Sequence, residues 1–212
     1  MVLNFLENSV KWLGHDGFLI EFEGKRFFID PYKVDKVFEN SADVIFITHS
    51  HYDHLSQEDI KLLAKNDTVL VCPENGAEQL KEYRVIKVNP GFDGEVLGVK
   101  FKAVPSYNVD KKFHPKENNW VGYIVDFGGV KVYHAGDTDF IPEMKDFKCD
   151  IALLPVSGTY VMTAEEAFEA AKVIKPEIAV PMHYGSIVGD KNDAERFVSL
   201  CEKEGIKTFV FD

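Results

Sequence analysis

The chain has 212 residues, of which 45% are hydrophobic, so it is long enough to bury one core, and we expect a single domain over residues 1–212. Its 24 basic and 35 acidic residues give a net charge of −11, which argues against general binding to nucleic acid because no extended cationic surface is available. The three cysteines include no Cys-x-x-Cys pair, which excludes a zinc ribbon or a disulfide framework and favours the reducing cytoplasm. We expect no secretory signal and no contact with membranes, since no apolar run is long enough to span one.

The first half of the chain is predicted to be rich in strands. Its aromatic and β-branched runs are typical of strands, and Glu23-Gly24-Lys25 predicts a hairpin turn. Ser56 with Asp59 three positions later has the form of a capping box that opens a helix. The predicted strands are 10–13, 18–22, 26–29, 44–47, 68–72, 85–88, 95–97 and 99–104, and the predicted helices are 57–65 and 76–82.

The second half begins with a long polar loop, 106–119, which lacks periodicity; loops of this length inside a compact domain are usually functional. Thr163 with Glu166 forms a second capping box, which opens a helix that stops before Pro176, and Gly205 ends a helix over 192–204. The pattern predicts an α/β (α+β) fold with two packed sheets and helices on both outer faces. The remaining predicted strands are 120–126, 130–133, 151–155, 178–181 and 207–211, the last closing the sheet.

Metal-binding side chains are concentrated between strand 44–47 and helix 57–65, where His49, His51, Asp53 and His54 follow one another closely. Imidazole nitrogen and carboxylate oxygen are ligands that zinc, manganese and iron accept. His49 and His51 are two positions apart, so in extended chain they point the same way and can bind one ion. Asp53 and His54 follow where the chain turns into the helix and can face a second ion. Ordinary polar loop residues are the alternative, which so dense a cluster at the end of a buried strand disfavours.

The segment Thr48-His49-Ser50-His51-Tyr52-Asp53-His54 resembles the His-x-His-x-Asp-His signature of the metallo-β-lactamase superfamily of binuclear metal hydrolases. The opening segments 12–17 and 28–31 are similar to one branch, the small predicted metal-dependent hydrolases related to ascorbate-6-phosphate lactonase. This likeness extends over essentially the whole chain. It implies a four-layer αββα sandwich of two mixed β-sheets and two bound divalent ions, with zinc, manganese or iron as candidates.

The resemblance also implies roles for two residues that are distant in the sequence. Asp137 occupies the Gly-Asp-Thr segment whose aspartate bridges the two metals in this superfamily, and a carboxylate can do so with its two oxygens. His183 corresponds to the last histidine ligand of the family. The alternatives are that Asp137 caps a helix from a turn and that His183 is a hydrogen-bonded surface residue.

One position departs from the family pattern. Most relatives have a histidine directly after the strand corresponding to 99–104, whereas this chain has Pro105-Ser106-Tyr107-Asn108 there. His114, further along the same loop, can reach back to complete the first metal site. The alternatives are the amide oxygen of Asn108 or a water molecule.

His15 and His134 are candidates for proton donation or for support of the metal ligands, and Asp53 is counted with them among the candidate catalytic residues. Each of these two histidines can instead simply bind a neighbouring backbone carbonyl. With the ligands, they make up all seven histidines of the chain, and none is predicted to lie mid-helix on an apolar stripe.

The implied activity is hydrolysis, in which a hydroxide shared by two divalent metals attacks a small ester, lactone or phosphodiester. Lys111, Lys112 and Lys116 share the loop of His114 and favour an anionic substrate, unless they form a solvated charge run. Two other functions stay open: a metal-binding module without turnover, and a di-iron redox protein on the same fold. The redox relatives usually carry an acidic residue where His51 stands. The sequence leaves the number of subunits open, a homo-oligomer included.

Overall fold

The computed structural model describes residues 1–211 and contains two six-stranded sheets. In spatial order, the first sheet consists of β1 (Val10–Gly14), β2 (Gly17–Phe22), β3 (Lys25–Ile29), β4 (Ala42–Phe46), β5 (Ala64–Pro73) and β6 (Arg84–Val88). The second consists of β12 (Ile178–Met182), β11 (Ile151–Pro155), β10 (Val130–His134), β9 (Val121–Phe127), β8 (Val99–Pro105) and β7 (Asp93–Val96). Both sheets are mixed: β1 to β3 pair antiparallel and β3 to β6 parallel, while β7 to β10 pair antiparallel and β10 to β12 parallel.

The helices cover the outer faces, which confirms the predicted α/β sandwich. Ile60 of α2 (Gln57–Leu63) packs with Ile45 and Leu70 on the first sheet. On the second sheet, α4 (Ala164–Ile174) contacts β11 and α5 (Lys191–Lys203) contacts β12. The other helices are α1 (Val2–Ser9) and α3 (Glu74–Ala77). Within residues 1–211, none of the helices combines the length and the apolar character needed to cross a membrane.

Aromatic residues join the two sheets between their inner faces. The Phe46 ring of β4 lies 5.0 Å from the Tyr123 ring of β9 and 5.3 Å from the Phe101 ring of β8, measured between centroids. The Tyr123 hydroxyl is fully buried and donates to the backbone carbonyl of Ile47 at 2.7 Å. This bond fixes the end of β4, where the histidine cluster begins.

Three predicted segments need correction. Residues 207–211 do not form a strand: only Thr208 bridges to Ala179 of β12, and Phe209 instead packs on the core. The predicted helix 76–82 is a single turn, α3, because Gly76 and the following turns do not sustain a helix. The predicted helix 57–65 ends at Leu63, since β5 starts at Ala64.

Helix α1 was not expected from the sequence. Its residues Val2 and Leu6 are buried in the main core, and the Phe5 ring lies 5.9 Å from that of Phe127. The spacing of these three apolar residues is that of one helical face, and this is the signal that the sequence offered.

Candidate metal centre

The candidate ligands lie at one edge of the sandwich, where strands from both sheets end. His49, His51, Asp53 and His54 follow β4, Asp137 follows β10, and His183 follows β12. Parallel strands place their carboxyl ends at the same edge, so residues far apart in the sequence meet there. His114 reaches this edge from the long loop after β8.

The first ligand group consists of His49, His51, His114 and Asp137, each offering one atom within 4.8 Å of the others. His49 Nε2 lies 3.0 Å from His51 Nδ1, and His114 Nε2 lies 3.1 Å from Asp137 Oδ2. Ligands at about 2.1 Å from a tetrahedral ion are separated by about 3.4 Å. The observed spacing therefore suits one ion.

The second ligand group faces the other oxygen of Asp137. His54 Nε2 and His183 Nε2 lie 3.3 and 3.4 Å from Asp137 Oδ1, and His54 Nε2 lies 3.9 Å from Asp53 Oδ2. Asp137 thus directs one carboxylate oxygen at each group. This is the geometry of a bridging ligand between two cations.

Unsatisfied atoms at the centre of the cluster show that a cation fits. His54 Nε2, His114 Nε2 and Asp137 Oδ1 are buried and have no hydrogen-bond partner within residues 1–211. A buried polar atom without a partner destabilises the fold, and one metal ion at each ligand group would satisfy all three. Burial raises the pKa of the Asp137 carboxyl, but the facing imidazoles of His183 and His54 outweigh burial and hold that pKa well below its usual range.

Hydrogen bonds at the far side of the rings orient the histidines. His54 Nδ1 donates to Asp30 Oδ2 at 2.8 Å and His114 Nδ1 donates to Asn108 Oδ1 at 3.1 Å. Because these oxygens only accept, each Nδ1 carries a proton, which leaves Nε2, on the side of Asp137, as the atom that would bind a metal. Such outer partners are typical of metal-binding histidines.

Similarity to known proteins identifies the family of this chain. A model of the β-lactamase superfamily domain matches residues 9–183. The chain belongs to the metallo-β-lactamase superfamily. It is 36% identical to a UPF0173 metal-dependent hydrolase of Thermoplasma acidophilum, with 97% of this chain and 96% of the relative covered.

Two solved structures resemble this metallo-β-lactamase superfamily member to different degrees. A proposed metal-dependent hydrolase from Parabacteroides distasonis is 34% identical, with a TM-score of 0.86 over 95% of this chain and 91% of that one. CmlA, a diiron β-hydroxylase from Streptomyces venezuelae, is 14% identical, with a TM-score of 0.79 over 95% of this chain and 52% of that one. The first confirms the family resemblance, and the second shares the fold alone.

The departure from the family pattern after β8 is compensated within the same loop. Asn108 Oδ1 accepts the backbone N–H of His114 at 3.0 Å, and Asn108 Nδ2 donates to Asp139 Oδ1 and to the Tyr160 carbonyl. The amide is therefore fully engaged in holding the loop. The arrangement favours His114 as the ligand, with Asn108 positioning it.

We expect Asn108→Ala to weaken metal binding at the first group by about 10- to 100-fold, because His114 loses the acceptor that orients its ring. Isothermal titration with zinc measures this affinity, and Asn66→Ala at an exposed asparagine is the matched control. An unchanged affinity in Asn108→Ala would remove the positioning role.

The two candidate proton donors occupy different environments. His15 Nε2 lies 3.1 Å from Asp53 Oδ2, and His15 lines the cavity in front of the ligands. His134 Nε2 donates to the Asp16 carbonyl at 2.8 Å, while its Nδ1 accepts from the Gly136 N–H at 3.2 Å. With both nitrogens bound to backbone, His134 is placed for support, and His15 is the better placed of the two for proton transfer.

Two buried aspartates at the site were not among the residues predicted from the sequence. Asp30 accepts from the Thr48 N–H and hydroxyl at 2.8 and 2.5 Å, besides His54. Neither carboxylate oxygen of Asp16 has a hydrogen-bond partner within residues 1–211, yet Asp16 lies within ligand distance of His54 and the second group. Their position directly after a turn or strand at the site edge was the available signal.

We expect Asp16→Asn to have opposite effects on the metal-free and metal-loaded protein. Burial raises the pKa of Asp16 well above its usual range, so removing the carboxylate should raise the metal-free unfolding free energy, by about 1–3 kcal/mol. The same change removes a negative charge beside the second group and should weaken metal binding there. Urea unfolding with and without zinc measures both effects, and equal shifts in the two states would contradict this expectation.

The loop lysines do not supply the positive charge that the sequence suggested. Lys111 Nζ binds Asp139 Oδ1 at 2.6 Å and Lys116 Nζ binds Glu143 Oε1 at 2.9 Å. Neither of them, nor Lys112, lines the cavity of about 260 Å³ in front of the ligands. Buried or nearby carboxylates hold the first two lysines away from it, so they give no support for an anionic substrate.

Proposed function

We propose that the protein is a hydrolase that holds two divalent ions and cleaves a small ester, lactone or phosphodiester with a hydroxide bridged by the two metals. The observation that carries this proposal is the placement of the two Asp137 oxygens toward separate ligand groups. Membership of a family whose relatives include metal-dependent hydrolases supports it.

When bound, two divalent ions lower the pKa of a shared water and polarise the oxygen that gains charge in the reaction. Asp137 separates the two ligand groups and fixes their distance. Burial opposes ionisation of Asp53, but the hydrogen bond from His15 and the charge of His54 together outweigh burial and lower the pKa of Asp53. His15 faces the cavity and holds a proton on Nε2 at Asp53, so it is the group we propose for protonating the leaving group.

The ligand chemistry bears on which metals are bound. Three histidines in the first group suit zinc, whereas Asp16 and Asp137, with Asp53 at 3.9 Å from His54, make the second group richer in oxygen and more suited to manganese or iron. We propose zinc as the usual metal. An anionic group at the scissile bond would be bound by the cations themselves, since the loop lysines are engaged elsewhere.

The alternative of a di-iron redox protein is supported by the oxygen-rich second group, and the fold is shared with the diiron β-hydroxylase CmlA. A metal-binding module without turnover is the third possibility.

The three cysteines are free thiols, which supports the expected cytoplasmic setting. The proposal is compatible with a monomer and with a homo-oligomer.

The test compares metal-loaded and chelated protein on lactones, carboxylic esters and a chromogenic phosphodiester, with oxygen consumption followed in parallel. Turnover that chelator abolishes and added zinc or manganese restores is the expected result. Oxygen consumption with iron would favour the redox function instead. Metal binding without either activity would overturn the hydrolase proposal.

A further inference from the structure

Exposed aromatic side chains surround the mouth of the cavity. Tyr52, Phe113 and Tyr160 are 65%, 52% and 37% exposed, and all three line the cavity, together with the half-buried Ile187 and Val188. The Phe113 and Tyr160 rings meet edge to face, with centroids 4.5 Å apart. Large apolar groups gathered at one exposed place usually mark a binding surface.

The backbone that presents these rings is held in a strained conformation. Tyr160 has a φ of 70°, which is a rare value for a bulky residue. Asn108 Nδ2 donates a hydrogen bond to the Tyr160 carbonyl at 2.8 Å, so the same amide that positions His114 also positions Tyr160. Strain of this kind persists where the surroundings enforce it, commonly at ligand sites.

The charged side chains that line the cavity are those of the candidate metal centre. Within residues 1–211, the lining includes Asp53, Asp137 and four histidines but no lysine or arginine. An anionic substituent placed against Phe113 and Val188 would lose water without finding a cationic side chain. An apolar substituent there would instead bury its own surface and that of the rings.

Resting on the proposed hydrolase function, we propose that the substrate carries an uncharged apolar group, aliphatic or aromatic, next to the bond that is cleaved. Tyr52, Phe113 and Tyr160 are the residues that select it. The cavity of about 260 Å³ lies below the usual range of about 300–1,000 Å³ for drug-sized ligands, so the substrate is small.

The test uses metal-loaded protein and a series of γ-lactones that differ only in alkyl chain length, with a phosphorylated sugar lactone as the charged comparison. Each added methylene should raise kcat/KM about fourfold until the cavity is full. In Phe113→Ala and in Tyr160→Ala, the factor by which each methylene raises kcat/KM should fall toward one. Phe92→Ala, at an exposed phenylalanine that does not line the cavity, is the control and should retain it.

The outcomes separate this inference from the function on which it rests. If the lactones are hydrolysed but kcat/KM is independent of chain length, or the phosphorylated lactone is the best substrate, the apolar-group inference is wrong and the hydrolase proposal stands. If the metal-loaded protein hydrolyses neither these lactones, nor the matching alkyl esters, nor the matching alkyl phosphodiesters, both fall together. If kcat/KM still rises about fourfold per methylene in both Phe113→Ala and Tyr160→Ala, these two residues do not select the apolar group.

Discussion

Asp137→Ala should leave the protein unable to hold two ions and reduce kcat/KM by about a thousandfold or more. The two oxygens of Asp137 are the contacts shared by the ligand groups, and loss of several kcal/mol of stabilisation at a metal-activated reaction has an effect of this size. Metal content by inductively coupled plasma mass spectrometry and the rate on a chromogenic substrate measure the two effects.

Asp137→Asn separates loss of the bridge from loss of the fold, because an amide of the same shape offers only one oxygen. It should bind at most one ion tightly. Asp67→Asn, at an exposed aspartate, is the matched control and should bind two. Two ions per chain in Asp137→Asn would contradict the bridging role.

Asp30→Ala is expected to lower the unfolding free energy of the metal-free protein by about 3–5 kcal/mol. Asp30 is fully buried and accepts from the Thr48 N–H, the Thr48 hydroxyl and His54 Nδ1, so its removal takes the acceptor away from three buried donors. Urea unfolding in the presence of chelator measures this loss without a contribution from bound metal.

Asp30→Asn should also be destabilising, since one oxygen is replaced by a donor that faces the other donors. Asp67→Asn again serves as the control and should change the unfolding free energy by less than about 0.5 kcal/mol. If Asp30→Ala and the native chain unfold at the same urea concentration, the hydrogen bonds accepted by Asp30 do not stabilise this edge of the sheet.

The first part of the site could be predicted from sequence because its signal is local. His49, His51 and His54 lie close together after a buried β-branched strand, and this arrangement has few structural uses other than metal binding. Asp137 and His183 carried no such local signal, and only the family resemblance assigned them. Strand order then brings both to the same edge.

The rest depends on packing that a linear pattern does not record. Asp16 and Asp30 each stand alone in a turn, and their burial beside His54 appears only once β1 to β4 are assembled. The sequence did not show that the charge of Lys111 is taken up by an ion pair, because its partner, Asp139, lies 28 positions away. Residues 207–211 were predicted to close the sheet, but Phe209 packs on the core and a single bridge stands in place of a ladder.

Anomalous diffraction from a crystal grown with zinc or manganese is the most direct test of the two-ion centre. Two peaks about 3.5–4 Å apart are expected, one among His49, His51 and His114 and the other between His54 and His183, with a carboxylate oxygen of Asp137 on each. A single peak in fully loaded protein, or peaks with Asp137 bound to neither ion, would contradict it.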